Sequence, residues 1–129
     1  MATRIKEKAL TRAKNADTRA FATVKYVRMS PSKVRITLDT IRGKKVEEAM
    51  AILANQTTAA AEVCLKLVKS ALANAENNKG LAKSDLVVDE CYVCPGPTLK
   101  RLDIRARGRA NRLLKRTCHI TVYLDGVKE

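Results

Sequence analysis

Between Lys100 and Arg116 the sequence places eight cations in seventeen residues against one acid, and it does so between two stretches of β-forming residues. The cations are Lys100, Arg101, Arg105, Arg107, Arg109, Arg112, Lys115 and Arg116; the acid is Asp103, so the segment carries a net +7. Leu86 to Cys94 precede it and Thr117 to Leu124 follow it, and both read as strands. Together they make an antiparallel hairpin whose far end is too cationic to collapse into a core. Neutralisation must come from outside the chain, and the densest polyanion in a cell is nucleic acid.

The rest of the composition agrees. A chain of 129 residues points to one domain with a core of modest size. Net charge is +13 with a pI near 10.0, the range of nucleic-acid-binding proteins. Aromatics are 3% and Trp is absent, so the apolar content is mostly Ala, Val, Leu and Ile, which suits helices packed closely on a small sheet. No apolar run approaches the ~18 residues of a spanning helix. No helix pairs a basic face with large apolar anchors, so no membrane partner is expected. The N-terminus has no secretory apolar core, although Arg4, Lys6, Lys8, Arg12 and Lys14 weakly echo a transit peptide; a cytoplasmic protein is expected.

Cys91-x-x-Cys94 followed by Cys118-His119 invites a zinc reading. Strand parity opposes it, because Cys91 and Cys94 project to opposite faces, as do Cys118 and His119. Reduced thiols and no metal are the expectation.

Residues 1–20 are polar and basic with no clear apolar stripe, and read as an extension to a single domain over 21–129. Phe21 to Met29 reads as a first strand. Ser30-Pro31 opens a helix, with Ser as N-cap and Pro at the first helical position. Val34, Leu38 and Ile41 form its apolar stripe, Arg35, Asp39 and Arg42 share another face, and Gly43 closes it. Lys44-Lys45 leads into a shorter helix with Glu47 and Glu48 in its first turn and Val46, Ala49, Met50 and Leu53 on its buried side. A third helix runs from about Thr58 to Asn77. In the last strand Cys118, Ile120, Val122 and Leu124 alternate with Thr117, His119, Thr121 and Tyr123. In the preceding strand Leu86 and Val88 share parity but Cys91 and Val93 do not, which predicts a bulge. The fold class is α+β: three helices on a three-stranded antiparallel sheet with one long protruding hairpin.

Pairing Leu86 with Asp125 and Cys94 with Thr117 puts the fold-back near Arg105-Ala106. About eleven residues per arm then reach past the body strands, roughly 35 Å at ~3.3 Å per residue. A body of this size has a radius of gyration near ~14 Å, so the arm, about 95–117, must project. Pro95-Gly96-Pro97 marks where it leaves, since proline cannot donate to a ladder. In extended backbone Arg105, Arg107 and Arg109 share one face and Ala106, Gly108 and Ala110 the other. Arg105, Arg109, Arg112 and Arg116 also fit one side of a helix, but the flanking strands favour the hairpin.

Specific stretches carry a family resemblance over nearly all of residues 21–125. They are Arg28-Met-Ser-Pro-Ser-Lys-Val-Arg35, Ile41-Arg-Gly-Lys-Lys45, Ala71-Leu-Ala-Asn-Ala-Glu-Asn-Asn78, Gly96-Pro-Thr-Leu-Lys-Arg101, Arg105-Ala-Arg-Gly-Arg-Ala-Asn-Arg112 and Lys115-Arg-Thr-Cys-His-Ile-Thr-Val122. In order and spacing they resemble the L-twenty-two family of large-subunit ribosomal proteins. The resemblance implies a body near the exit of the peptide tunnel, a hairpin threaded through 23S-type rRNA, and a role in early assembly. It implies as partners that rRNA, neighbouring large-subunit proteins and the nascent peptide, in the cytoplasmic large subunit. The rRNA-binding residues it points to are Ser30, Ser32, Lys33, Arg35, Arg42, Lys44, Lys45, Lys100, Arg101, Arg105, Arg107, Arg109, Arg112, Lys115 and Arg116. The matching tunnel-lining tip is Leu99, Lys100, Arg101, Arg105, Ala106, Arg107, Gly108 and Arg109. Residues 1–20 and the Cys91/Cys94 pair lie outside the family pattern.

His119 has parity opposite to the core set and reads as an RNA-facing strand residue rather than a catalyst. The sequence has no paired-carboxylate or Ser-His-Asp pattern and no glycine-rich phosphate loop. No enzyme, cofactor or small-molecule substrate is therefore expected. The alternative reading is a basic β-arm architectural DNA-binding protein.

Overall fold

The computed structural model of the chain describes residues 2–14 and 19–126. In chain order the elements are α1 (Ala2–Lys14), β1 (Ala20–Val27), α2 (Pro31–Asp39), α3 (Val46–Asn55), α4 (Ala59–Lys79), β2 (Leu86–Pro95), β3 (Leu99–Ile104), β4 (Ala110–Lys115) and β5 (Cys118–Gly126). The class is α+β, as the sequence predicts, but with four helices instead of three. The additional one, α1, lies in the stretch read as a basic extension. It lacks an apolar stripe because Thr3 to Lys14 are all exposed.

The body is a three-stranded antiparallel sheet in the order β1-β5-β2, with α2, α3 and α4 forming a layer on one face. Alternation in β5 fixes which face is covered. Cys118, Ile120, Val122 and Leu124 are buried in one cluster with Val34, Leu38, Val68 and Ala71 of the helices and with Leu86, Val88, Cys91 and Val93 of β2. The core contains no aromatic side chain, and its many alanines (Ala60, Ala61, Ala71 and Ala75 on α4) let the long helix lie close to the sheet.

The expected irregularity in β2 is a β-bulge between Val88 and Glu90, which explains the change of parity between Val88 and Cys91. The bulge also shifts the register. Leu86 faces Gly126 and Cys94 faces His119, so the pairings Leu86 with Asp125 and Cys94 with Thr117 are corrected by one and two residues. Past Pro95 and Gly96 the ladder breaks, and β3 with β4 makes a separate two-stranded sheet with Leu99 opposite Lys115 and Ile104 opposite Ala110. The fold-back is consequently centred on Arg107, beyond the Arg105-Ala106 position expected.

Two ends of helices differ in detail. Ser30 has the extended backbone of an N-cap and Pro31 begins α2, but the Ser30 side chain makes no capping hydrogen bond. The helix ends at Asp39, with Thr40 as C-cap, and Gly43 (φ +73) sits beyond it. Its N–H donates to the Val88 carbonyl at 2.8 Å, so this glycine turns the chain onto the sheet instead of closing the helix.

Cys91 is buried and Cys94 exposed, as strand parity requires, and all four thiols are free. Burial pushes the Cys64 thiol up to about 12 and also raises Cys91 and Cys118.

Two outcomes are expected. Ser30→Ala should cost under about 0.5 kcal/mol, less than removal of a bonded cap would, because the hydroxyl makes no capping bond; a loss above about 1 kcal/mol in chemical denaturation would mean the hydroxyl does cap the helix. At pH 8 a bulky disulfide reagent should modify one thiol per native chain, Cys94, and four after denaturation. The buried thiols hold their protons to higher pH than the ordinary value of 9.0. For Cys64 the resulting contribution to stability is complete below about pH 9 and is lost as pH rises towards 12. A native chain with two or more fast-reacting thiols would contradict the buried placement.

Candidate nucleic-acid interface

The arm has almost nothing to hold it by burial. From Leu99 to Arg116 every residue is exposed except Asp103, which is half-buried. Directly paired residues share a face, so Lys100, Leu102, Ile104, Ala110, Arg112 and Leu114 make one side and Leu99, Arg101, Asp103, Asn111, Leu113 and Lys115 the other. Each side mixes cations with uncovered aliphatic side chains; Leu102 is 70% and Ile104 83% exposed. A polyanion with apolar surface as well as charge fits both features at once, and RNA, with its phosphates, riboses and bases, is such a partner.

The end of the arm is a tight turn, which corrects the extended reading of Arg105, Arg107 and Arg109. Ala106–Gly108 forms a tight, non-helical turn, with Arg107 at φ +59 and Gly108 at φ +69. The Arg105 N–H donates to the Arg109 carbonyl at 2.8 Å and closes the loop. The three arginines therefore lie around a turn instead of along one extended face. The Arg105 side chain pairs with Asp103 at 2.7 Å, while Lys100, Arg101, Arg112, Lys115 and Arg116 are exposed along the stem and root.

At the root Gly96 is forced by packing. A Cβ there would lie 2.5 Å from Thr117 Oγ1 and 3.2 Å from His119 Nε2. The Gly96 N–H donates to the Thr117 carbonyl, and the Thr117 hydroxyl donates to the Pro97 carbonyl, so the break between the two sheets is itself hydrogen-bonded.

On the body, the expected RNA-binding residues divide into two groups. Ser32 and Lys33 are exposed on α2 and Ser30 is half-buried before it. Arg35 and Arg42 instead reach across to the outer edge of β2, donating to the Val93 carbonyl at 3.3 Å and the Cys91 carbonyl at 3.0 Å. An edge strand leaves such carbonyls without a ladder partner, so these two arginines have a structural task that charge alone did not reveal. Arg42 also pairs with Asp39 at 3.1 Å. The Lys44-Lys45 corner has a similar double duty. The Lys44 carbonyl accepts the Val88 N–H at 2.9 Å, Lys45 bridges to Val87, and Lys44 Nζ pairs with Glu48 at 2.7 Å. Lys45 keeps an exposed side chain.

The uncovered face of the sheet holds what sequence reasoning missed. All four aromatic residues lie outside the core, and Phe21 stacks on Tyr123 at 5.4 Å with Tyr92 alongside at 6.3 Å. The Arg19 guanidinium lies over the Tyr123 ring and pairs with Asp89 and Glu90. Nearer the arm, Tyr26 packs edge-on against His119. Half-buried His119 accepts the Tyr26 N–H through Nδ1 at 3.0 Å, which occupies that ring nitrogen structurally. The available sequence signal was that Phe21, Tyr92 and Tyr123 fall on strands at positions of non-core parity; Tyr26 shares the parity of Ala20 and Ala22 and is turned out only by the irregularity in β1.

Comparison with known proteins follows this geometry closely. The family model for ribosomal protein L22p/L17e matches residues 22–125, which takes in the body and the whole arm and leaves out α1. The large ribosomal subunit protein uL22 of Clostridium novyi is 55% identical over 105 residues, 81% of this chain and 95% of its own length. Proteins of the same name from Desulforamulus reducens and Lachnospira eligens are 51% and 49% identical, covering 85% and 90% of this chain and 97% and 92% of theirs. With a matched model spanning sheet, helices and arm alike, the chain belongs to the ribosomal protein L22p/L17e family.

Proposed function

We propose that this ribosomal protein is a structural constituent of the large subunit that binds 23S-type rRNA through its arm and the arm-side surface of its body. The observation that carries the reading is the arm itself: a +7 segment, exposed along its length, joined to a well-packed body by a hydrogen-bonded root. Phosphate contacts supply most of the affinity of such an interface and make it salt-dependent. Arginine suits the task because its planar fork meets phosphate oxygens two at a time. Lys100, Arg101, Arg105, Arg107, Arg109, Arg112, Lys115 and Arg116 carry it, with Ser30, Ser32, Lys33 and Lys45 on the body. Arg35, Arg42, Lys44 and His119 contribute from positions they also hold structurally. Family membership favours rRNA over the DNA-architectural alternative. Binding would order the arm within the folded RNA, assist subunit assembly, and set the tip, Leu99 to Arg101 and Arg105 to Arg109, in the wall of the peptide exit tunnel beside neighbouring proteins and the nascent chain.

Replacing Arg105, Arg107 and Arg109 together by Ala should leave the melting temperature of the body nearly unchanged, because none of the three is buried. Binding to large-subunit rRNA should weaken. The log–log salt slope should become shallower by about two to three units, at roughly 0.7–0.9 for each phosphate that is no longer neutralised. Wild-type affinity and slope in the triple variant would make the arginines a merely solvated surface. For the tunnel, a photoreactive residue replacing Ala106 should crosslink to a radiolabelled nascent chain on stalled ribosomes. Efficient incorporation without any crosslink at any chain length would remove the tip from the tunnel wall.

A further inference from the structure

Tyr26 is one of two non-glycine residues with positive φ among the described residues, at +58. That backbone region is unfavourable for any residue bearing a Cβ, and it persists only where the surroundings enforce it. Here the enforcement is visible. β1 pairs regularly with β5 up to Val24 opposite Ile120 and resumes at Val27 opposite Cys118, so Lys25 and Tyr26 together oppose His119 alone. The freed Tyr26 N–H is taken by His119 Nδ1, and the other side of the imidazole is backed by Gly96, where an added Cβ would stand 3.2 Å from Nε2. The tyrosine ring is set perpendicular to the imidazole at 4.7 Å, and Tyr26 as a whole is still 63% exposed. The bulge thus spends backbone strain on presenting an aromatic side chain to the outside, where it buries little.

The surroundings say what that ring faces. Lys25 is exposed beside it, and exposed Arg28, just past the end of β1, donates to the Lys115 carbonyl at 3.3 Å, which brings it to the arm root. The opposite end of the sheet is different in character, since Arg19 there is engaged by Asp89 and Glu90. An exposed ring flanked by cations matches the way proteins hold unpaired nucleotides: base on aromatic face, phosphates on Lys and Arg.

We propose that Tyr26, held by His119, is a stacking platform for one unpaired nucleobase of the rRNA at the root of the arm, with Lys25 and Arg28 contacting the flanking phosphates. This rests on the rRNA-binding reading above and adds to it a site that reads a base, where the arm's cations read the backbone. His119 is a positioning residue: it fixes the Tyr26 backbone through Nδ1 and need not touch RNA itself.

The test uses the full chain and purified large-subunit rRNA. Tyr26→Ala should raise Kd roughly 5- to 140-fold, the range for loss of one stacked base. The salt slope should stay at the wild-type value, because no phosphate contact goes with the ring. Tyr26→Phe should bind within about twofold of wild type, the stacking surface being retained. Tyr26→Gly should bind as poorly as Tyr26→Ala yet melt at a higher temperature than that variant, since glycine accepts positive φ without strain. Ultraviolet irradiation should crosslink Tyr26 to a base, detectable by mass spectrometry. Wild-type affinity in Tyr26→Ala would overturn the proposal. So would a Tyr26→Gly chain that melts well below the wild type despite the relief of strain, because the ring would then serve the fold. Failure of the wild-type chain to bind rRNA would sink both readings, whereas normal wild-type binding with a silent Tyr26→Ala sinks only this one.

Discussion

Strand β5 is hydrogen-bonded along both edges, to β1 on one side and β2 on the other, and the body is organised around it. It follows every other described element in the chain, so the sheet closes only when the C-terminal segment has returned from the arm. Its row Cys118, Ile120, Val122 and Leu124 is wholly buried, and helix α4 is apolar where it meets β5. At roughly 25 cal/mol per Å² of apolar surface removed from water, this row and its neighbours are the main stabilising term. The arm is therefore a long loop between two paired strands, and a folded body fixes both of its ends.

A three-stranded sheet has two edges for every central strand, and open edges invite other chains. This protein closes its edges with side chains and short bridges. On β2, the Gly43–Lys45 segment pairs with Val87 and Val88, and Arg42 and Arg35 take the carbonyls of Cys91 and Val93. On β1, Asn74 of α4 donates to the Phe21 carbonyl at 2.9 Å. Some cations that a charge count assigns to RNA are thus committed to protecting the sheet. The cations of the arm are displayed, and among the described residues Arg105 alone is drawn to an acid, Asp103. The two populations of basic residue therefore separate by position: the body's are partly employed by the fold, the arm's face outward.

The layout was legible where periodicity is strong. The alternation in Cys118 to Leu124, the stripe Val34-Leu38-Ile41 and the alanine-rich run of the long helix each has one physical solution, and the change of parity after Val88 announced its bulge. Register was less legible, because a bulge adds a residue without a distinctive sequence mark, and each irregularity moved the fold-back further along the chain. The turn at the arm's end escaped because Ala106-Arg107-Gly108 reads equally well as extended backbone; only Gly108 hints at positive φ. Ser30 carries the right residue type for a cap without making the bond. Arg35 and Arg42 showed their spacing on one helical face, but not that the face looks onto a strand edge. Helix α1 was missed because its residues favour helix while none from Thr3 to Lys14 is drawn to a buried side, so no apolar period marks it.

The backbone outliers give this division of labour a further sense. Where the chain only needs to turn, it uses glycine: Gly43 before the sheet bridge and Gly80 after α4 both have positive φ at no steric cost. At the root and at the tip of the arm it places Tyr26 and Arg107 in the same region instead, although a glycine would fit with less strain. Both side chains point into open surroundings and gain little from burial in return. Strain retained at positions where the side chain is displayed, and absent from positions where only the backbone matters, is what a surface shaped for recognition requires. The two ends of the arm are thereby distinguished from its stem, where regular pairing from Leu99 to Ile104 and from Ala110 to Lys115 presents charge without strain.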